Sequence, residues 1–215
     1  MENGNLKIYQ ENHKIYKDEY INDSDNELSE TEEGSSTEVI INISLLKQIS
    51  DILNSIISEN KKTENSTQEN SPFRHDNIPN ISLFDYLLRI QKYTWIENTT
   101  LIIALIYIDR ICHKKKLTLT KFNIHRLLFT SIIASIKYNE DIIYNNLFYS
   151  KIGGITETEL IKLETYFLKI IDFELFVRDD LYQKYFGYLN IDINEWFFYI
   201  FIKWKIVLLF VKKYL

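Results

Sequence analysis

Between Ser82 and Leu175 apolar residues return every three or four positions, block after block, the rhythm of helices and not of strands. Pro79 and Ser82 announce a first helix, whose stripe is Leu83, Tyr86, Leu87, Ile90 and Tyr93. Thr99 or Thr100 opens a second. Its run Leu101–Ile108 is wholly apolar and would by itself also fit a buried strand. It continues through Asp109-Arg110 without Gly or Pro, however, and ends on Lys114-Lys115-Lys116, cations that suit a helix C-terminus. A third helix is predicted from Thr120 to Lys137. Ile124, Leu127, Leu128, Ile132, Ile133 and Ile136 wrap most of its circumference, which makes it the central one. Ser131, Ala134 and Ser135 are small enough to let neighbours approach it. A short fourth helix is predicted over Asp141–Tyr149, and Gly153-Gly154 then breaks the chain. Thr156 and Glu159 have capping-box spacing and start a fifth, lined by Leu160, Leu163, Phe167, Ile170 and Ile171. A further helix is predicted around Leu181–Leu189.

The same rhythm appears earlier, over residues 39–59, where Leu45, Ile49, Ile52, Leu53, Ile56 and Ile57 form one stripe. Residues 60–77 read as a polar linker. Residues 1–37 carry ten acidic side chains and three lysines, and too little apolar surface to fold alone, so they read as a disordered acidic tail. Ser24, Ser29 and Thr31 stand among its carboxylates as candidate acidophilic phosphosites, beside the plainer reading of a solvating tail. The segment 191–215 reads as an apolar C-terminal helix. Its stretch from Glu195 to Val211 has the length of a short membrane span, but Lys203 and Lys205 sit at the middle, where each costs about 2.5–3.5 kcal/mol. A helix buried or covered by a partner, a membrane anchor through residues 195–211, and translated non-coding sequence all remain open for it.

Composition narrows the classes. Apolar residues make up 46% of 215, enough for one buried core, and only 5 Gly and 2 Pro leave little material for β-turns. The net charge of -5 combines about -7 in the first 37 residues with about +2 in the rest, and no basic block is present, so nucleic acid is not the expected partner. Cys112 is the single cysteine, which excludes an intramolecular disulfide and makes a reducing compartment the default, cytoplasm or nucleus. The first residues lack the basic-then-apolar layout of a signal peptide. There is no glycine-rich phosphate loop and no GxSxG, and His13, His75, His113 and His125 match no metal spacing. No enzyme is expected, and no cofactor.

Two charges do stand out. Lys137 lies one turn past Ile133, so its stem shares that apolar face. Glu164 is four residues after Leu160 and three before Phe167, on the stripe, with Leu168 where a helical ion-pair partner would stand. A carboxylate so placed needs a partner. The plainer readings are a lysine complementing a helix end and a glutamate facing water at the edge of the stripe.

Several pieces in their order carry a resemblance: IPNIS-x-x-DYLLRIQKYT at Ile78–Thr94, YIDR at Tyr107–Arg110, NIHRLL at Asn123–Leu128, ASIKYNED at Ala134–Asp141, KIGGI at Lys151–Ile155 and LE-x-x-FLKIIDFEL at Leu163–Leu175. Together they resemble the cyclin box, and more closely that of the P-type cyclins. The resemblance covers residues 39–189. It implies an all-α fold, one five-helix cyclin box over residues 78–190 with an extra N-terminal helix, and a central third box helix. It also implies the function of binding and activating a cyclin-dependent protein kinase by packing against the kinase C helix. Lys137 and Glu164 stand where cyclins hydrogen-bond the kinase. Asp109 stands where cyclins carry an aspartate paired to an arginine ahead of the first box helix. That position is Asn80 here, so Asp109 is expected to be structural and to accept from backbone N–H groups near Ile81–Leu83. The alternatives are a cyclin-fold adaptor that binds protein or DNA without activating a kinase, and a small helical membrane-associated protein.

Overall fold

A computed structural model describes residues 42–60 and 71–190. The acidic tail, the first residues of the N-terminal stripe, most of the linker and the apolar C-terminal segment lie outside the described residues. Those described form seven helices and no strand. They are α1 (Ile43–Asn60), α2 (Leu83–Thr94), α3 (Asn98–Lys115), α4 (Ile124–Asn139), α5 (Asn146–Gly153), α6 (Glu157–Ile170) and α7 (Asp179–Asn190). The box helices one to five of the sequence reading are therefore α2 to α6.

Helix α4 is the axis. Every residue from Leu127 to Ile136 is buried, and α3 and α6 pack on it. Small residues permit this. The Ser135 hydroxyl donates to the Thr100 carbonyl at the start of α3 (2.9 Å), a bond that a larger side chain would hold the helices too far apart to make. Ser131 and Thr130 satisfy their buried hydroxyls on carbonyls of their own helix, at Leu127 and Arg126. Each fully buried Leu, Ile or Phe in this core contributes about 1.5–3 kcal/mol by leaving water.

The remaining helices close around that axis. α2 packs between α1 and α5, α5 on α6, and α7 on α3 and α1. The α1 stripe is buried as its spacing predicts, at Leu45, Leu46, Ile49, Ile52, Leu53 and Ile57, and it faces α2. Ser82 caps α2 by accepting from the Asp85 amide (3.0 Å), and Thr156 caps α6 by accepting from the Glu159 amide (3.1 Å).

Two predicted boundaries move. The third box helix starts at Ile124 rather than Thr120. Asn123 donates to the Thr118 carbonyl and accepts from the Thr120 amide, folding residues 118–123 into a turn. The fourth starts at Asn146 rather than Asp141. Asn145 is its cap, accepting from the Phe148 amide at 2.8 Å, and Ile142 and Ile143 lie outside it, 70% and 51% exposed. The apolar pair thus belongs to a surface loop, not to the inner face of a helix.

Residues 117–123 also gather two distant parts of the chain. Asn60, the buried last residue of α1, donates its side-chain amide to the Leu119 carbonyl (3.1 Å), and the His75 amide donates to the Phe122 carbonyl (2.7 Å).

Candidate functional site

Lys137, in the last turn of α4, reaches across to α6. Its Nζ lies 2.7 Å from Glu164 Oε1 and 2.9 Å from Oε2, and it donates to Asn146 Oδ1 at the start of α5 (2.6 Å). It also stands 5.9 Å from the ring centroid of buried Tyr149. Three helices thus meet at one ammonium group. The Lys137 and Glu164 side chains keep 29% and 13% of their surface, so the pair sits at the rim of the core rather than inside it. The partner that Glu164 lacks on its own helix is supplied by the other charge singled out from the sequence. Asn146 and Tyr149 were not singled out. The Asn145-Asn146 pair, a natural helix start, is the signal that could have found the first of them.

Large apolar residues near this node in sequence are exposed. Tyr138, Ile142, Ile143, Leu147 and Ile161 are each 46% exposed or more, although each is large and hydrophobic. Tyr138 adjoins Lys137, Leu147 adjoins Asn146, and Ile161 is one turn before Glu164. Single exposed apolar residues are ordinary, but five within a few residues of Lys137, Asn146 and Glu164 in sequence are of the kind that partner proteins cover.

Asp109 is placed differently from the expectation. Its carboxylate accepts from the Tyr185 hydroxyl of α7 (2.8 Å), not from the backbone at Ile81–Leu83. That stretch is held instead by His125, whose Nε2 lies 3.0 Å from the Ile81 carbonyl. Asp109 belongs to a clamp built from the rest of its motif. The Tyr107 hydroxyl donates to the Leu175 carbonyl (2.7 Å), and Arg110 donates to the carbonyls of Glu174 (2.6 Å) and Phe176 (2.9 Å). One turn on, Lys114 donates to the Ile171 carbonyl and to Asp172. The hydrogen bond and charge of Lys114 hold the Asp172 carboxyl below the usual carboxylate range. These contacts fix a tight turn in which Asp172 and Phe173 both have left-handed backbone (φ 55° and 57°).

Burial pushes the Cys112 thiol up to about 12, which keeps it protonated and inert at neutral pH. Among the described residues, no group of three or more His, Cys, Asp and Glu is placed to hold a metal ion, and no helix is long and apolar enough to cross a membrane. The segment 195–211 lies outside them.

A family model described as Cyclin matches residues 21–175. Cyclin-U4-1 of Arabidopsis thaliana is 35% identical over 150 residues, covering 68% of this chain and 74% of that protein. PHO85 cyclin-7 of Saccharomyces cerevisiae is 36% identical over 165 residues, covering 66% of this chain and 58% of that protein. PHO85 cyclin-like protein psl1 of Schizosaccharomyces pombe is 41% identical over 115 residues, 53% of this chain and 47% of that protein. The match thus spans about half to three-fifths of these two yeast relatives. The chain belongs to the cyclin family, and these relatives place it in the P-type branch.

Proposed function

We propose that this chain is the regulatory subunit of a cyclin-dependent protein kinase, and that it activates the kinase by packing the ends of α4, α5 and α6 against the kinase C helix. The observation that carries the reading is the Lys137–Glu164–Asn146 node with the exposed apolar residues near it in sequence. The names of the yeast relatives, PHO85 cyclins, support the same class of partner.

A kinase of this class transfers phosphate only when its β3 lysine is paired to the C-helix glutamate. The chain contributes no reacting group. It binds the inward position of the C helix more tightly than the outward one, and so shifts the population. An obligate interface buries about 2,000 Å² or more, most of its affinity coming from apolar contact. Tyr138, Ile142, Ile143, Leu147 and Ile161 supply that contact here. Lys137 and Glu164 supply direction. In the free chain each already faces its counter-charge at the rim, which offsets part of the desolvation cost when a partner covers them. The remaining acceptor positions of Glu164, and a Lys137 donor released from Asn146 or Glu164 on binding, then fix the register on the partner's backbone.

The test is affinity capture from native lysate with the full chain, scoring kinase peptides and kinase activity in the eluate. The wild type should retain a cyclin-dependent kinase, and Lys137→Ala/Glu164→Ala should lose it while keeping its helical circular dichroism. Equal capture by both would remove the node from the interface. No kinase on folded wild type would overturn the reading.

A further inference from the structure

A cleft of about 430 Å³ opens between α2 and α5. Its walls carry three cations, Arg89, Lys92 and Lys151, and its floor is made of apolar side chains, among them Leu88, Phe148 and Ile152. One carboxylate also lines it, Asp85, which accepts from the Ser82 hydroxyl at 2.6 Å and leaves the lining two positive charges in excess. Arg89 donates through Nη2 to the Lys151 carbonyl (2.9 Å), a bond that pins α2 to α5 and uses one of the five N–H groups of the guanidinium. Arg89 also borders a second cleft, of about 200 Å³, with His75, His125 and Arg126. Arg126 there is already paired to Glu159, so the cation excess belongs to the cleft between α2 and α5, in a chain whose residues after 37 carry a net charge of about +2.

The complementary charge is in the same chain. Residues 18–33 (DEYINDSDNELSETEE) hold eight carboxylates, no lysine and no arginine, and include Tyr20, Ile21 and Leu28 for an apolar floor. We propose that the cleft between α2 and α5 is the docking site of this acidic segment, bound in cis.

The tether allows it. Nine residues, 34–42, join the segment to α1 and span up to about 30 Å when extended. Helix α1 is about 27 Å long and packs directly on α2, which forms one wall of the cleft. Attachment at that range gives an effective concentration of about millimolar, so a weak electrostatic contact is enough to occupy the site. Phosphorylation of Ser24, Ser29 or Thr31 would add about 1.5–2 negative charges at each and tighten it. The cleft shares α5 with the Lys137 node, so the occupant rests on the helix that presents Asn146. The docking stands independently of the kinase reading.

The experiment is carbodiimide cross-linking of the full chain, which joins lysine amines to carboxylates in contact, read by mass spectrometry. Lys92 and Lys151 should couple to carboxylates among residues 18–33, and Lys169 of α6 should not. The products should fall at least threefold at 1 M NaCl, where the Debye length is about 3 Å. Arg89→Glu should lower them similarly while leaving both reacting lysines in place. If that variant melts early, the salt series on the wild type decides alone. Coupling from Lys169 as readily as from Lys92, or no salt dependence, would overturn the proposal. A mixture of isotopically light and heavy chains would show hybrid products if the segment docks on a second copy, which would overturn docking in cis.

Discussion

Lys137 and Glu164 are 27 residues apart in sequence, yet Lys137 Nζ lies 2.7 Å from Glu164 Oε1. The bond joins the end of the central helix to the middle of α6. Lys137→Ala would leave Glu164 with 13% of its side chain exposed and no cation beside it. Each single alanine variant should cost about 1–3 kcal/mol, because the partner left behind is only partly hydrated. The double variant should cost less than the sum by about 0.5 kcal/mol or more. Urea unfolding of the four proteins closes the cycle, and an additive result would show that the two side chains are not coupled in the free chain.

The Asp109–Tyr185 bond is expected to hold α7 and not to meet a partner. Tyr185→Phe and Asp109→Ala should each lower stability by about 1 kcal/mol, and together by little more. Kinase capture should be unchanged. A loss of capture by Asp109→Ala at unchanged melting temperature would move the residue into the interface.

Gly153 and Gly154 should respond to alanine for different reasons. A Cβ at 153 would fall 2.6 Å from Cζ of the buried Phe129 ring, a stiff aromatic side chain that must shift to admit it. Overpacking there should cost about 1–3 kcal/mol. A Cβ at 154 meets nothing within 4 Å, but the backbone is left-handed at φ 69°, which should cost about 1 kcal/mol. Thermal melting should rank Gly153→Ala below Gly154→Ala, and the reverse order would contradict the close approach of the Phe129 ring to Gly153.

Alkali should unfold the chain early. Burial holds Tyr107, Tyr149 and Cys112 up to about 12, against ordinary values of 10.0 for the phenols and 9.0 for the thiol. Above those ordinary values the unfolded chain has lost protons that the folded chain keeps, so stability must fall as pH rises. The contribution is complete below pH 9, declines through pH 9–12, and levels off once the folded groups ionise as well. Melting temperature should therefore be flat near pH 8 and drop by pH 11. Cys112→Ala should remove the earliest part of the drop. A flat profile to pH 11 would mean that these groups titrate alike in both states.

What could be read from the sequence was what periodicity encodes. The stripes of α1, α2, α4 and α6 are the stripes that are buried, and the caps at Ser82 and Thr156 follow from residue type and spacing alone. Lys137 and Glu164 were visible because charge on an apolar stripe is costly without a partner. That they are each other's partner was not visible, since the pairing depends on how α4 crosses α6. The short helix α5 was misplaced because Ile142-Ile143 carries the hydrophobic signal, whereas burial belongs to Tyr149 and Ile152. The clamp of Tyr107, Arg110 and Lys114 was hidden for a further reason. Its acceptors are backbone carbonyls at 171–176, and a carbonyl leaves no mark in a residue code.

Asn60 and His75 are both tied to the stretch 117–123, so the two ends of the polar segment between them are brought together by the folded domain itself. Closing a loop whose ends are already held depends only weakly on its length, about 0.6 kcal/mol for each doubling. An insertion between residues 61 and 70 should therefore be tolerated. A fluorophore, an epitope or a small folded module spliced there should leave the helices around α4 unchanged, giving a place to label this cyclin away from both its acidic end and its apolar one.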